Sequence, residues 1–578
     1  MSASTPSNAR KGTHQRSKPL EPKPSDLIVF AHDREFVLEA FRAGEFDAIE
    51  VVSEIADRNF FSFLRAGGIL KDLAESYPTP RVKEEVPLWF LIAADLALRL
   101  HGQTGFNALP YVVRSGGLLS LLSPKQAHKT IDPGTLDMHL QCEGFNDKNH
   151  YDRETPCDRD TLRKLAKDTE PDDLQRWFAT ALPRALKSRR AFDKEGIFIG
   201  DGSYLFVPDN PAYEGSEVLW FDEHSHPVAI DTIPSAERGL YRKRRCYKMV
   251  SLLHTNAARE FYIPVGVQVV LARKHDAPVL YEMVEEFIKA VGTGVMKLLI
   301  LDRAFLDGEA IGRCRTKHGI ELIMPLKKNM EIFKDAMGLA EAPGALWEEI
   351  PPPASIRPPS NEPRVKPRRP EVVARREAKR QQTLEERRPE RAAPPKRSVF
   401  GVHGLTSWEG CPIPLNVVIN REVEAAGEER VWALVTTRQW DHPGAITKLY
   451  GLRTTIEERH RQLKCFQDLT VFRSRALSMV VHHVVFILLT YGLLQWQLHR
   501  QGLAELNRKT MPRVRDHLPE GQESVMIFYR DRFAIVDKYE YTELLLMLQD
   551  ASRLKILEKV RKLREAMYAR SGPRRELP

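Results

Sequence analysis

Between Gly196 and Leu326 the periodicity of this 578-residue chain changes, and the order of segments there restricts its fold strongly. Apolar runs stand at 196–207 (GIFIGDGSYLFV), 246–255 (CYKMVSLLHT) and 260–272 (EFYIPVGVQVVLA). Each is rich in β-branched and aromatic residues, the composition of strands. The last two flank a turn containing Asn256 and predict an antiparallel pair. An amphipathic helix is expected over 277–292, then a short buried strand in MKLLILDRAFLDG (296–308). A helix over 309–318 and a strand over 320–326 follow. Three antiparallel strands and then helix–strand crossovers imply an α/β fold, a mixed sheet with flanking helices.

Two carboxylates punctuate this pattern. Asp201 follows Ile197, Phe198 and Ile199 in the first run, and Asp302 ends the apolar part of 296–308. A carboxylate at the end of a buried strand is costly unless it binds something. If the two strands are neighbours, both carboxylates meet at one edge of the sheet. Each also has a plainer reading, Asp201-Gly202 as a strand-ending turn and Asp302 as a helix cap.

A third carboxylate comes from Tyr450–Phe466 (YGLRTTIEERHRQLKCF). At about 100° per residue this stretch is an amphipathic helix. Tyr450, Arg453, Glu457, Arg461 and Lys464 share one side, with His460 at its margin. Leu452, Ile456, Leu463 and Phe466 share the other, and Glu458 points to neither. A solvated helix with i,i+4 ion pairs also fits that polar face. Read together, Asp201, Asp302 and Glu457 form a hard-oxygen set with no convergent thiol or imidazole, suited to Mg²⁺ or Mn²⁺. Two such ions about 3.5–4 Å apart support in-line phosphoryl transfer.

Tyr450-x2-Arg453-x3-Glu457-x6-Lys464 resembles the Y-R-E-K signature of one branch of DDE transposases from bacterial insertion sequences. DGSYLF at 201–206 is similar to the first-aspartate segment of that family, with Ser203 where Thr is common. LDRAFLDG at 301–308 is similar to the second. The resemblance spans roughly 196–500 and implies an RNase H-like catalytic core with a β-rich insertion before the glutamate helix. It implies that Asp201, Asp302 and Glu457 hold two Mg²⁺ (or Mn²⁺) ions, and that Tyr450, Arg453 and Lys464 contact DNA. The implied activity is cleavage at insertion-sequence ends and 3′-OH strand transfer into target DNA. The implied partners are double-stranded DNA and a second copy in a synaptic homodimer, with no membrane. A structure-selective nuclease on the same core, or a catalytically retired DNA-binding relative, remain alternatives.

Further DNA contacts are expected from basic groups near this core. Arg244, Arg245 and Lys248 lie around the start of the second strand, and Lys327 and Lys328 directly follow strand 320–326. Arg461 joins them from the helix. The net charge of +9 is a weaker guide. Of it, +8 lies in 357–397 and +4 in 1–23, which leaves the rest of the chain at −3. Attraction to polyanions by charge alone therefore sits in two segments expected to be disordered.

The expected organisation is a disordered basic tail (1–25), a helical N-terminal domain (26–190) and the first part of the core (191–330). A β-rich insertion (331–440) with a disordered Arg/Pro-rich loop (351–397) follows, then the second part of the core (441–500) and a helical C-terminal region (501–578). The six cysteines show no CxxC spacing, which argues against a zinc ribbon or disulfide framework. His139 and Cys142 have ligand-like spacing but no second pair follows. The polar N-terminus lacks an apolar h-region, so a cytoplasmic, nucleoid-associated protein is expected. Met479–Leu498 nears membrane-spanning length, yet its four His and Gln residues favour a buried core helix, with His482 and His483 packed rather than ligating.

Overall fold

The computed structural model describes residues 28–571 apart from 110–117, 123–126, 132–137, 146–155, 352–394 and 509–523 and some one- or two-residue positions. The tail 1–25 and most of the loop 351–397 lie outside the described residues. The chain divides into two compact units. The larger holds Ala56–Val113 and Asp158–His517, and the smaller holds the described residues of Met1–Ile55, Arg114–Cys157 and Leu518–Pro578.

In the larger unit, β1 (Ile197–Val207), β2 (Arg242–Thr255) and β3 (Ile263–Val270) form an antiparallel meander. Helix α1 (Asp276–Val291) leads to β4 (Leu298–Ile300), and α2 (Gly308–His318) leads to β5 (Glu321–Pro325). β4 lies between β1 and β5 and is parallel to both. The strand order β3-β2-β1-β4-β5 is that of an RNase H-like core, as the alternation of segments anticipates.

Two corrections concern β1 and β2. β1 does not end at Asp201; it continues to Val207 because β2 pairs with it along its whole length. Nor do Arg242–Arg245 precede the second strand, whose apolar run begins at Cys246. They belong to β2, which there pairs with Glu217–Phe221, a strand not expected from the sequence.

After Pro325 come a helix (Glu331–Glu341) and a short strand (Glu348–Ile350), then β6 (Lys396–Leu405), β7 (Leu415–Val423) and β8 (Glu429–Thr436). These strands make no separate sheet. β8 pairs antiparallel with β5, and the whole becomes an 11-stranded sheet. Thr436 and Thr437 secure the junction: Thr436 donates to the Leu322 carbonyl (2.6 Å), and the Leu322 N–H donates to the Thr437 hydroxyl (3.0 Å). Gly308 lets the insertion approach α2, since a Cβ there would lie 2.1 Å from the Gly410 carbonyl oxygen.

The chain then turns helical through α3 (Pro443–Tyr450), a 3₁₀ turn (Gly451–Arg453), α4 (Thr454–Phe466) and α5 (Leu477–Arg500). The stretch 450–466 is thus two helices joined by a tighter turn at Gly451, a poor helix former. Among the described residues α5 is the one helix long and apolar enough to cross a membrane, and it is largely buried inside this unit. His482 Nε2 meets Asp95 (2.6 Å), which also accepts from Arg99 (2.8 Å). His483 donates from Nε2 to the Asp468 carbonyl (2.9 Å), and burial pushes its pKa down to about 3.

The expected helical domain 26–190 is not one body. Helix Pro171–Ser188 packs in the larger unit, where the side-chain Oε1 of Gln175 accepts from the Val269 N–H (2.5 Å). Ala48–Val52, read as helix from its surroundings, is instead a strand of the smaller unit. Its β-branched run pairs with Ser524–Phe528. The C-terminal region likewise holds a hairpin, Ser524–Tyr529 with Arg532–Asp537, before helices Lys538–Met547 and Asp550–Ser571. Phe41, Phe46, Ile527, Val536 and Ile556 centre the core of this unit.

Candidate active site

The register of the parallel pair brings two carboxylates together. Ile199 lies opposite Ile300, so Asp201 and Asp302, two residues further along each strand direction, emerge side by side. Leu301 still caps the sheet there: its backbone N–H donates to the Ile323 carbonyl (3.0 Å), while Asp302 turns away and accepts from the Arg303 N–H (2.7 Å). The glycines around Asp201 allow this crowding. A Cβ at Gly200 would lie 2.6 Å from Leu301, and one at Gly202 would lie 2.6 Å from the Asp276 carboxylate.

Glu457 comes from α4, which buries Ile456 and Leu463, as the preceding turn buries Leu452, and so turns its polar side toward that edge. The side chain of Phe466 lies outside the described positions. All three carboxylates converge on one cation, Arg453. Its Nη1 donates to Glu457 (2.6 Å), and its Nη2 reaches Asp302 (3.1 Å) and Asp201 (3.5 Å). The Arg453 side chain is 15% exposed and its Nε is buried without a hydrogen-bond partner. Burial opposes its charge, but Asp201 and then Asp302 outweigh that and its pKa rises. Among the described residues no three His, Cys, Asp or Glu side chains are gathered closely enough to ligate one ion as they stand. The donor set nonetheless fits a divalent cation, because three hard carboxylates surround a single positive group that stands where an ion would.

The family comparison adds its own boundaries. Residues 214–493 match the family model described as the transposase DDE domain. This chain carries a DDE transposase domain. The matched stretch contains Asp302 and Glu457 and begins just after Asp201. No curated protein matches the chain.

Around the carboxylates, the transposase domain places a neutral phenol and a softened ammonium. Burial raises the Tyr450 hydroxyl to about 12, so it stays protonated as a donor. Lys464 donates to the Ser203 hydroxyl (2.6 Å), and burial lowers it to about 8. His460 was legible only as a marginal residue of the helix face, yet it is 6% exposed and inside the site. Its Nε2 meets the Ser251 hydroxyl (2.8 Å) and its Nδ1 lies 3.4 Å from Asp201. Ser251 is the cross-strand partner of Asp201, a pairing no sequence spacing reveals.

Other expected DNA contacts divide. Lys327 and Lys328 join Asp302, Arg303, Arg430, Trp432 and Tyr450 around an open cavity of about 840 Å³ beside the carboxylates. Arg430 and Trp432 come from β8, so the insertion walls the candidate site. Arg461, by contrast, forks onto Glu458 (2.7 Å from both Nε and Nη2) and leaves the face of Glu457. Glu457 is already held by Arg453, so the long Arg461 side chain takes the other carboxylate within reach. Arg244 is exposed and lies over the Phe206 ring (3.6 Å), while Arg245 pairs with Asp209 (3.2 Å). Lys248 is only 8% exposed. Its ammonium is committed to Asp276 (2.6 Å) and the Lys274 carbonyl (2.7 Å), so it is a structural cation rather than one tracking a DNA backbone.

Proposed function

We propose that this protein is a metal-dependent DNA transposase of the Y-R-E-K branch, which cleaves at the ends of an insertion sequence and joins the freed 3′-hydroxyls to target DNA. The convergence of Asp201, Asp302 and Glu457 on a single cation at the edge of an RNase H-like sheet carries this reading. Asp201, Asp302 and Glu457 are the residues that would hold two Mg²⁺ or Mn²⁺ ions. Bound there, the ions would activate the attacking water or 3′-hydroxyl and neutralise the leaving oxygen. Tyr450 donates a hydrogen bond and Lys464 a charge to DNA phosphates, while Lys327, Lys328, Arg303 and Arg430 line the adjoining cavity. Trp432 and Tyr450 offer that cavity aromatic faces on which a nucleobase can stack. His460 positions Asp201 from the Ser251 side.

Work at two DNA ends requires a synapse, so the active form is at least a homodimer, acting on double-stranded DNA in the cytoplasm. Helices within 540–570 are the candidate contact. There Met547 and Leu554 are 82% and 67% exposed.

The test is excision and integration of a plasmid-borne element made from the gene with its flanking DNA. Wild type and Glu458→Gln move the element, whereas Glu457→Gln loses movement by at least about 100-fold, or roughly 3 kcal/mol of transition-state stabilisation. A dead Glu458→Gln beside a working Glu457→Gln overturns the assignment of the third carboxylate. Cleavage without joining identifies a nuclease instead.

A further inference from the structure

We propose that Arg453 is a cation lock: in the DNA-free protein its guanidinium holds Asp201, Asp302 and Glu457 and excludes divalent ions until DNA phosphate draws it away. The proposal rests on the reading that these carboxylates are the metal ligands.

Arg453 contacts all three carboxylates, at 2.6, 3.1 and 3.5 Å. The position is internal, and the unpartnered Nε means that the head group is held through its terminal nitrogens alone. A divalent ion needs the same oxygens, so ion and guanidinium compete for one place. Without DNA, displacing Arg453 strands a buried cation with no counter-charge, which is costly. With DNA the cost falls, because a phosphate offers the guanidinium the same forked, charge-assisted bonds as a carboxylate. The route is adjacent. Tyr450, directly before the 3₁₀ turn that carries Arg453, lines the cavity with Lys327, Lys328, Arg303 and Arg430. DNA and metal then bind with positive coupling through one side chain that both of them move.

The experiment measures Mn²⁺ binding to the full-length protein without DNA, by electron paramagnetic resonance of the free ion. Arg453→Gln binds Mn²⁺ at least tenfold more tightly than wild type, and adding Asp201→Asn to that variant abolishes the gain. A 30-base-pair duplex tightens Mn²⁺ binding to wild type and not to Arg453→Gln. If Arg453→Gln does not fold, Arg453→Lys carries the test. Its shorter, single ammonium cannot span three carboxylates, so it binds Mn²⁺ several-fold more tightly than wild type. Equal affinity of wild type and variant overturns the lock, as does a gain that survives Asp201→Asn. Failure of the lock and failure of the catalytic reading are separable by Mn²⁺-dependent plasmid nicking. If no form binds Mn²⁺ more tightly but Asp201→Asn abolishes nicking, the lock alone is lost. If nicking also survives Asp201→Asn, the ligand assignment falls with it.

Discussion

Lys464 is the group at the site whose charge the fold brings into an accessible pH range. Burial lowers its pKa to about 8, so it is an ammonium below that pH and an amine above it. The contribution to phosphate binding proposed for it should be present below about pH 8 and fade as pH rises through that value. Anisotropy titrations of a labelled duplex between pH 7 and 9.5 should show affinity falling several-fold for wild type. Lys464→Arg should hold it nearly constant, because arginine does not titrate there. An equal fall in both proteins places the titrating group elsewhere. For stability the sign is opposite. The folded chain binds fewer protons at Lys464 than the unfolded chain between about pH 8 and the ordinary lysine value of 10.5, so this residue favours folding more as pH rises across that window. Gly202 is the second residue-scale test. A Cβ there meets the Asp276 carboxylate at 2.6 Å and pushes it from Lys248. Gly202→Ala should cost about 1–3 kcal/mol, read from urea unfolding midpoints. The spacing of Tyr450, Arg453, Glu457 and Lys464 was legible because helix geometry is periodic. His460 and Ser251 were not, since their meeting depends on which strands pair and in what register.

At the scale of elements, α4 does two jobs, and each uses one side of it. Its apolar side seats the helix on the core; its polar side delivers Glu457 and Lys464. Ile456 is 1% exposed and lies directly before the glutamate. Ile456→Ala should lower stability by about 2–5 kcal/mol in chemical denaturation and reduce element movement through misplaced Glu457. Unchanged stability would mean that α4 is not seated as described. The core strands and helices were readable from alternation and apolar runs, with their ends shifted by a few residues. What escaped the pattern were elements whose conformation follows from their partners. Ala48–Val52 sits between helical sequences and becomes a strand on contact with Ser524–Phe528. Arg242–Arg245, four consecutive cations, are held extended by Glu217–Phe221, and β1 pairs with the last of them, Arg245.

For the whole molecule, the smaller unit presents the exposed residues Met547 and Leu554 on two helices that also bury Leu544 and Ile556 in its core, with Leu548 buried in the link between them. Replacing exposed Leu554 and Leu557 by Glu therefore tests the proposed synaptic contact without removing that core. Paired-end complexes in a gel-shift assay should disappear while single-end binding persists; persistence of both excludes this face. The amino-acid sequence by itself determined the RNase H-like order of strands and helices, the three carboxylates and the helix-face signature. Those properties are local or periodic and survive without knowledge of neighbours. Only the tertiary structure decided that the insertion continues the core sheet, that the segments around 26–190 and 501–578 contribute to two different units, and that Arg453 sits among the carboxylates. These follow from pairing between residues far apart in the chain, where backbone hydrogen bonding and charge neutralisation choose among partners that the sequence leaves equivalent.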